Sequence, residues 1–403
     1  MLIQFPSSFL WGAAISSYQC EGKNINSDWY VWEKQKNLDK AGKACDHYNR
    51  FQEDFKLAKE LNLNSFRLSI EWARVCPHKG KFSQEAIEHY KKVLDTLARE
   101  GLKPIVTLHH FTNPIWFSNN GGWMNKENIE DFLFYLRKIV DELKDKVDAW
   151  IIFNEPLVYL YKGFIEGTWP PGEASLSAAK KVIDNIMAAY CTGYKNIKQI
   201  YQGIDKPVRV SIAKNLRVFK PCCKGVKTLN SVIAYLRSRY FNFWLLKKLY
   251  KKRCLDFIGV NYYCCEYDSF GGVLGSECGH KTHQAKQNYL GWNIDPEGFY
   301  QVLIALKKFD LPVLITENGT AENKNSCYED FLDTHLRALA RAHSKGVKIQ
   351  GYMWWSLLDN FEWDKGFGPR FGLVYVNYDT MQRSIKPFAY KYAKIARENA
   401  INI

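Results

Sequence analysis

The chain alternates short, almost continuously apolar runs with longer segments in which apolar residues recur every three or four positions. The first pattern is typical of strands buried on both faces of a parallel sheet, and the second of amphipathic helices that cover such a sheet. The predicted strands are Phe9–Ala14, Ser65–Ile70, Lys103–His110, Ala149–Glu155, Arg209–Asn215, Asp256–Tyr263, Pro312–Glu317 and Gln350–Leu357. The predicted helices are Asp46–Leu61, Ser83–Glu100, Lys126–Lys146, Ser175–Tyr201, Leu229–Tyr250, Pro296–Phe309, Glu329–Lys345 and Lys386–Arg397.

Eight such alternations favour a closed (β/α)8 TIM barrel of the α/β class over an open, doubly wound sheet. The chain has 403 residues, whereas a barrel of this kind needs only about 250. The surplus is expected in extended βα loops, such as Cys264–Asp295 and Asp359–Arg383. Because no proline-rich linker or low-complexity segment interrupts the series, we predict a single catalytic domain over residues 1–403.

The composition is that of an ordinary globular protein. Hydrophobic residues make up 46% and charged residues 24% of the chain, which excludes the disordered, collagen-like and membrane-spanning classes. The 11 cysteines include no Cys-x-x-Cys spacing, so we expect reduced thiols. The first residues show no basic start followed by an apolar run, so no secretory signal is visible and a cytoplasmic protein without a membrane span is the default.

The net charge of +14 allows more than one interpretation. Basic and aromatic residues are interleaved in one segment and could bind nucleic acid or an anionic membrane; they are Arg237, Arg239, Tyr240, Phe241, Phe243, Trp244, Lys247, Lys248, Tyr250, Lys251, Lys252 and Arg253. The alternative is a barrel helix whose apolar side faces inward and whose lysines face the solvent. This second interpretation is favoured, so no nucleic-acid partner is expected.

Two predicted strands end in a carboxylate. The fourth stops at Glu155 and the seventh at Glu317, and barrel enzymes build their active sites at these strand ends. A single glutamate there could simply have reached the solvent. Two of them, three strands apart among eight, face each other across the barrel mouth. Opposed carboxylates suit glycoside hydrolysis, in which one protonates the leaving oxygen and the other attacks the anomeric carbon or activates water.

Aromatic residues crowd the same predicted loops and could serve as platforms for sugar rings. For any one of them, packing in the core is the simpler alternative. The stretch Trp354–Trp363 mixes tryptophan with carboxylates directly after the eighth strand, which suits a sugar best. The candidates are Trp116, Trp123, Trp169, Trp292, Trp354, Trp355, Phe361, Trp363, Phe367 and Phe371.

These motifs resemble glycoside hydrolase family 1, the β-glucosidase and β-galactosidase type of retaining enzyme, along nearly the whole chain. The residues that carry the resemblance are Phe9–Ala14, Ser17–Gln19, Phe66–Trp72, Thr107–Phe111, Asn154–Pro156, Asp256–Tyr263, Ile315–Gly319, Trp355–Trp363 and Arg370–Val376. The connection between Tyr240 and Asp256 is shorter than is usual in the family, which predicts a more open aglycone side.

The resemblance implies that Glu155 is the acid/base and Glu317 the nucleophile of a double displacement through a covalent glycosyl-enzyme. It places the carboxyl groups about 5–5.5 Å apart, puts Arg67 and Tyr263 beside the nucleophile, and gives Asn261 a supporting role. It assigns substrate contacts to Gln19, His110, Asn154, Trp355, Glu362, Trp363 and Phe371.

The same resemblance implies a small-molecule β-glycoside or oligosaccharide as substrate, with no metal and no organic cofactor. Terminal β-D-glucosides are expected, with β-galactosides and β-fucosides as further substrates. Glu362 stands where the phosphoglycosidase branch carries serine, so unphosphorylated sugars are expected. The alternative from another class is a non-catalytic carbohydrate-binding relative; it would need the aromatic platforms but not both carboxylates. The oligomeric state is left open.

Overall fold

Eight parallel strands form a closed barrel in which each strand is hydrogen-bonded to the next one along the chain and the last to the first. The computed structural model describes residues 1–222, 227–270, 276–277, 286–322 and 324–403. The barrel strands β1 to β8 are Leu10–Ala14, Ser65–Ser69, Lys103–His109, Ala149–Asn154, Arg209–Asn215, Ile258–Tyr262, Val313–Asn318 and Ile349–Trp355. The predicted (β/α)8 barrel is confirmed, with strand boundaries that shift by one or two residues.

In the part of the chain that the structure describes, eight principal helices surround the barrel. Helices α1 to α4 are His47–Glu60, Gln84–Arg99, Asn128–Leu143 and Leu176–Gln202, and α6 to α8 are Pro296–Leu306, Asn325–Ser344 and Pro387–Glu398. Helix α5 begins as Lys227–Arg237, continues through the π-helical segment Ser238–Trp244 and ends as Leu245–Lys251. Side-chain caps explain several starts: Ser83, Ser175 and Asp295 each accept a hydrogen bond from a backbone N–H of the first helical turn, which satisfies an otherwise free donor.

The surplus length lies in connections, as expected, and some of them carry structure that the hydrophobic pattern did not predict. Short helices are Ser17–Glu21, Asp28–Gln35, Trp72–Val75, Ile115–Asn119 and Pro156–Leu160, followed by a π-helical turn at Tyr161–Ile165, and 3-10 turns lie at Gly122–Met124, Lys307–Phe309 and Trp363–Lys365. Outside the barrel, Val218–Pro221 pairs with Cys265–Ser269, which also pairs with Ser276–Glu277, and Val374–Val376 pairs with Arg383–Ile385. Part of the predicted loop Cys264–Asp295 lies outside the described residues.

The two ends of the chain are joined. Leu2–Gln4 pairs with Ala400–Asn402 in an antiparallel ribbon. Tyr392, on α8, donates hydrogen bonds to the backbone oxygens of Gly12 and Tyr352 at 2.8 and 3.1 Å. The last helix is thereby fixed to the first and last barrel strands, so the closing contact of the barrel includes both ends of the sequence.

The cysteines agree with the sequence expectation at most described positions. The described cysteines that form no disulfide are Cys20, Cys45, Cys76, Cys191, Cys254, Cys264, Cys265 and Cys327. Cys222 is disulfide-bonded, so the expectation of a reduced thiol is wrong there. Within the described ranges, none of the helices combines the length and the apolar character needed to cross a bilayer.

Candidate active site

A cavity of about 340 Å³ opens where the barrel strands end. Most of the side chains predicted for the site line it, namely Gln19, His110, Asn154, Glu155, Tyr263, Glu317, Trp355, Glu362, Trp363 and Phe371. The other two, Arg67 and Asn261, are buried directly behind this lining. Residues separated by more than 300 positions in sequence therefore meet in one pocket.

Glu155 enters the cavity from the junction between β4 and the helix Pro156–Leu160. Its backbone adopts a left-handed conformation with φ of 44°, which is unfavourable for a residue with a side chain and is characteristic of functional sites. Its Oε1 accepts hydrogen bonds from the side-chain amides of Asn261 at 2.7 Å and Asn215 at 3.0 Å. No ion pair to Glu155 occurs among the described residues, so this carboxyl group is held by neutral donors.

Glu317 has different surroundings. It lies near the end of β7, where the register with β6 shifts between Ile315 and Glu317; such an irregularity redirects the side chains that follow it. Arg67 Nη1 lies 2.5 Å from Oε1, and the Tyr263 hydroxyl donates to Oε2 at 2.6 Å. A guanidinium and a phenol both stabilise the ionised carboxylate.

Burial raises the pKa of Glu317 to about 7. The Arg67 guanidinium and the hydrogen bond from Tyr263 act against this rise, whereas the negative charge of Glu155 adds to it. The charge of Glu155 therefore reaches Glu317 across the cavity. The predicted role of Glu317 as nucleophile requires the ionised form, so we expect this titration to control activity.

Arg67 connects the two carboxylate-bearing strands. Beside its ion pair with Glu317, its Nη2 donates to Asn154 Oδ1 at 2.7 Å. Asn261 donates to the same oxygen at 3.1 Å, and its own Oδ1 accepts from the Thr316 hydroxyl at 2.6 Å. One buried network thus orients the residues that neighbour Glu155 and Glu317 in sequence.

The opposite wall of the cavity combines aromatic rings with polar groups. The ring of His110 stacks on Trp355 and Trp363 at centroid distances of 5.9 and 6.3 Å. Trp355 Nε1 donates to Glu362 Oε1 at 3.3 Å. Gln19 Nε2 donates to the backbone oxygen of Phe361 at 2.8 Å. Burial raises the pKa of Glu362 well above its usual range, and the charge of Glu317 raises it further.

His110 is a neutral hydrogen-bonding group in this wall. Burial and the nearby Arg67 charge hold its pKa well below the usual range. The amide of Asn154 lies 3.3 Å from Nε2, which assigns the proton to Nδ1, and Nδ1 has no hydrogen-bond partner within the described chain. His109 does not line the cavity; its Nε2 contacts Asn113 at 3.0 Å, as expected for a structural residue.

The aromatic candidates divide into two groups. Trp169, Trp292, Trp355, Trp363 and Phe371 line the cavity. Trp123, Trp354 and Phe361 are buried in the core, whereas Trp116 and Phe367 pack against it. For this second group the alternative of core packing is confirmed, since their rings lie in the hydrophobic core or pack against it.

Sequence reasoning missed several residues on the side of the cavity next to Glu155, among them Asn215, Arg217 and Phe241. Asn215 ends β5 and donates to Glu155, and Arg217 donates to Asn215 Oδ1 at 2.9 Å. Phe241, from the π-helical segment of α5, lines the same side. The strand-end rule that selected Glu155 and Glu317 also applies to Asn215, whereas nothing in the local sequence marks Arg217 or Phe241.

The pH dependence of activity follows from the titration of Glu317. We expect kcat/KM for an aryl β-glucoside to fall as the pH is lowered through about 7, because protonation removes the charge that the predicted nucleophile needs. Tyr263→Phe deletes a hydrogen bond that favours the ionised form, so the acidic limb should move to higher pH. Initial rates measured between about pH 5 and about pH 9 test this.

A matched control is Tyr159→Phe, because the Tyr159 hydroxyl contacts Asn113 at 3.2 Å and not Glu317. Its acidic limb should coincide with that of the unmodified chain. An acidic limb that stays in place, or moves to lower pH, in Tyr263→Phe would contradict the assignment of this titration to Glu317.

Comparisons with known proteins match the chain over nearly its whole length. A family model described as glycosyl hydrolase family 1 matches residues 1–253 and 246–401. Beta-glucosidase A of Thermotoga maritima is 30% identical over 446 residues, covering 99% of this chain and 99% of the relative. A solved beta-glycosidase from Pyrococcus horikoshii is 33% identical with a TM-score of 0.92, covering 100% and 97%. A beta-glucosidase from Thermotoga maritima in complex with glucoimidazole is 30% identical with a TM-score of 0.91, covering 98% and 99%.

Proposed function

This chain belongs to glycosyl hydrolase family 1, and we propose that it hydrolyses terminal, unphosphorylated β-D-glucosides with retention of configuration. The observation that carries the proposal is the contrast between two buried carboxyl groups in one cavity. Glu317 is paired with a cation and a phenol, whereas Glu155 is held by two amides. Different surroundings give two like groups different roles.

In the first step Glu317 attacks the anomeric carbon while Glu155 donates its proton to the glycosidic oxygen. The bond to the aglycone breaks, the alcohol leaves, and a covalent glycosyl-enzyme forms on Glu317. Arg67 and Tyr263 hold the two carboxylate oxygens of Glu317 in a fixed orientation for this attack. Asn261 and Asn215 hold Glu155 in place on the leaving-group side.

In the second step water replaces the aglycone. At this point Glu317 is esterified and Glu155 is ionised, because Glu155 has given its proton to the leaving alcohol. Glu155 takes a proton from the water while the water oxygen attacks the anomeric carbon. The ester bond from that carbon to Glu317 breaks, and Glu317 is released as a carboxylate. Two inversions at one carbon restore the β configuration, and both carboxyl groups return to their starting states.

The remaining predicted residues are proposed to hold the sugar. Nδ1 of His110 is a buried donor without a partner in the described chain, which suits a sugar hydroxyl. Asn154 is proposed to reach the 2-hydroxyl, whose hydrogen bond strengthens in the transition state. Trp355 supplies an apolar ring face, and Gln19, Glu362, Trp363 and Phe371 complete the pocket.

The proposed preference for unphosphorylated sugars rests on Glu362. A 6-phosphate beside this side chain would either meet an ionised carboxylate or force the carboxyl group to remain protonated. The first outcome costs binding free energy, because like charges repel strongly in a buried site. The second removes the carboxylate acceptor that an unphosphorylated sugar would use. A neutral hydroxyl can instead donate to the carboxylate.

Glu362→Ser is therefore expected to lower kcat/KM for nitrophenyl β-glucoside by about 10- to 100-fold, the effect of losing a charged hydrogen-bond acceptor. Glu362→Gln, which keeps the size and one acceptor oxygen, should lose less. The measurement is kcat/KM on β-glucoside and on β-glucoside 6-phosphate for each variant. If the ratio of kcat/KM between the two substrates is the same in Glu362→Ser as in the unmodified chain, Glu362 does not contact the sugar.

The experiment that tests the proposed function is a panel of nitrophenyl β-glucoside, β-galactoside and β-fucoside. Hydrolysis should proceed without added metal or organic cofactor. The anomer released first, followed by proton NMR, should be β and convert slowly to the equilibrium mixture. Inactivity on every member of the panel, or first release of the α anomer, would overturn the proposal.

We further infer that residues 1–403 act as one catalytic domain in the cytoplasm. The ribbon that joins the two ends of the chain supports the single domain. Eight of the nine described cysteines form no disulfide, which supports a reducing compartment, because oxidising compartments favour disulfides. Fractionation of the source cells with an antibody against the chain tests the location.

A further inference from the structure

The positive charge of the chain is concentrated in one segment. Residues 206–255 contain 14 lysines and arginines and no aspartate or glutamate. The other 42 basic residues of the chain are balanced by its 42 acidic residues. The whole net charge of +14 therefore resides in a segment that includes β5 and α5.

Some of these basic side chains have partners. Lys214 is fully buried, Arg217 and Arg237 form ion pairs with Glu266, and Lys220 pairs with Asp295. Six others, which we call the basic patch, are exposed and form no ion pair with any residue in the described ranges; they are Arg239, Lys247, Lys248, Lys251, Lys252 and Arg253. All six lie on α5 or directly after it.

The same helix exposes large apolar and aromatic side chains. We call Leu229, Val232, Tyr235, Leu236 and Tyr240 the outer stripe, with exposed fractions between 40% for Leu229 and 62% for Tyr240. Four of them follow a spacing of three or four residues, which places them along one side of a helix. The inner side of α5 buries Leu245, Leu246 and Leu249 instead.

A further cation lies beside the basic patch. Lys308 packs its ammonium over the ring of Phe243 at 3.3 Å, and burial together with the charge of Lys247 lowers the pKa of Lys308. Like charges are thus held near one another on this flank. Such an arrangement is unfavourable in the free protein and is relieved by an anionic partner.

We propose that the outer face of α5 docks on a lipid bilayer rich in anionic headgroups. The basic patch contacts the headgroup phosphates, and the outer stripe enters the boundary between headgroups and acyl chains. A nucleic acid would use the basic patch but would leave the outer stripe in water. A second copy of this chain, related by a two-fold axis through this face, would bring two basic patches together. The proposal is independent of the proposed function.

The test uses the full chain and vesicles of phosphatidylcholine, with or without one third of phosphatidylglycerol, in co-sedimentation. The chain should sediment with the anionic vesicles only, and more weakly as salt rises above about 0.15 M. The quadruple variant Lys247→Glu, Lys248→Glu, Lys251→Glu, Lys252→Glu should need about tenfold or more lipid for half-binding.

A matched control reverses four other exposed lysines that form no ion pair with described residues, Lys56, Lys92, Lys126 and Lys181. Both quadruple variants have the same net charge. If they lose vesicle binding equally, binding depends on the net charge of the chain, and the proposal of a localised docking face is wrong. A third variant, Val232→Ser with Leu236→Ser, keeps the charge and should also weaken vesicle binding. Thermal unfolding and nitrophenyl glucoside hydrolysis of each variant report folding separately.

Three other outcomes would overturn the proposal. The first is no binding of the unmodified chain to anionic vesicles. The second is binding to a DNA duplex that the basic-patch variant loses and the outer-stripe variant keeps. The third is a dimer, seen by light scattering, that the outer-stripe variant dissociates. A chain that binds vesicles but is inactive on glycosides would contradict the proposed function and leave the docking face in place.

Discussion

Glu317→Gly is expected to lower hydrolysis of every β-glycoside by about 10⁴- to 10⁶-fold, the range found when a nucleophile is removed from an active site. Arg67 and Tyr263 hold both oxygens of the Glu317 carboxylate, and no other carboxylate in this network can replace it. Steady-state rates on dinitrophenyl β-glucoside measure the loss. Thermal unfolding of the variant shows that the protein in the assay is folded.

The decisive part is chemical rescue. Glycine leaves a space beside Arg67 and Tyr263 that azide or formate can enter, and azide attack from this side should give the α-glycosyl azide. Glu317→Gln is the matched control: it should be similarly inactive, but its amide fills the space, so azide should not restore turnover. Absence of rescue in the glycine variant, together with an inactive unmodified chain, would contradict the nucleophile assignment.

Glu155→Ala is expected to discriminate between leaving groups. Alkyl glycosides need a proton on the departing oxygen and should slow by about 10²- to 10⁴-fold, the usual contribution of a general acid. Dinitrophenolate can depart from dinitrophenyl β-glucoside without that proton. The rate at which this substrate forms the glycosyl-enzyme should therefore change much less. The measurement is kcat/KM across a series of glycosides whose leaving groups differ in pKa. In Glu155→Ala, kcat/KM should depend more steeply on the leaving-group pKa than in the unmodified chain.

The second half of the reaction supplies a separate check on Glu155. In the variant, which lacks the general base, the glycosyl-enzyme formed from dinitrophenyl β-glucoside should accumulate. The release of dinitrophenolate should then show a burst followed by a slow steady state. Azide needs no base, so it should accelerate that steady state and yield the β-glycosyl azide. Glu155→Gln should show the same leaving-group dependence with weaker acceleration by azide. Equal losses on activated and unactivated substrates would argue that Glu155 is not the acid.

The basic segment shows how sequence and structure contribute differently to one feature. The sequence contains the cluster of lysines and arginines, and it allowed either a membrane or nucleic-acid surface or an ordinary barrel helix. The helix prediction is confirmed, since α5 covers the barrel and buries Leu245 and Leu246. The exposure of Val232 and Tyr240, which only packing determines, is the observation that reopens the question of a partner.

The π-helical segment Ser238–Trp244 within α5 is a further case. Periodicity predicted one regular helix over Leu229–Tyr250, because a single wider turn hardly changes the apolar spacing. The wider turn helps to place Phe241 on the cavity wall while Leu245 returns to the core. A residue that lines the active site was therefore invisible to the pattern that predicted its helix.

The barrel can be predicted without any structure, because the local order of apolar residues carries the periods of strands and helices. The two glutamates can be predicted in the same way, because a buried strand that ends in an ionisable group is conspicuous. The other features required the folded chain. Which tryptophans line the cavity depends on how the chain packs. How Arg67 links Asn154 to Glu317, and which amides hold Glu155, depend on contacts between residues 60 to 250 positions apart. Such contacts arise when the barrel closes, and no local pattern encodes them.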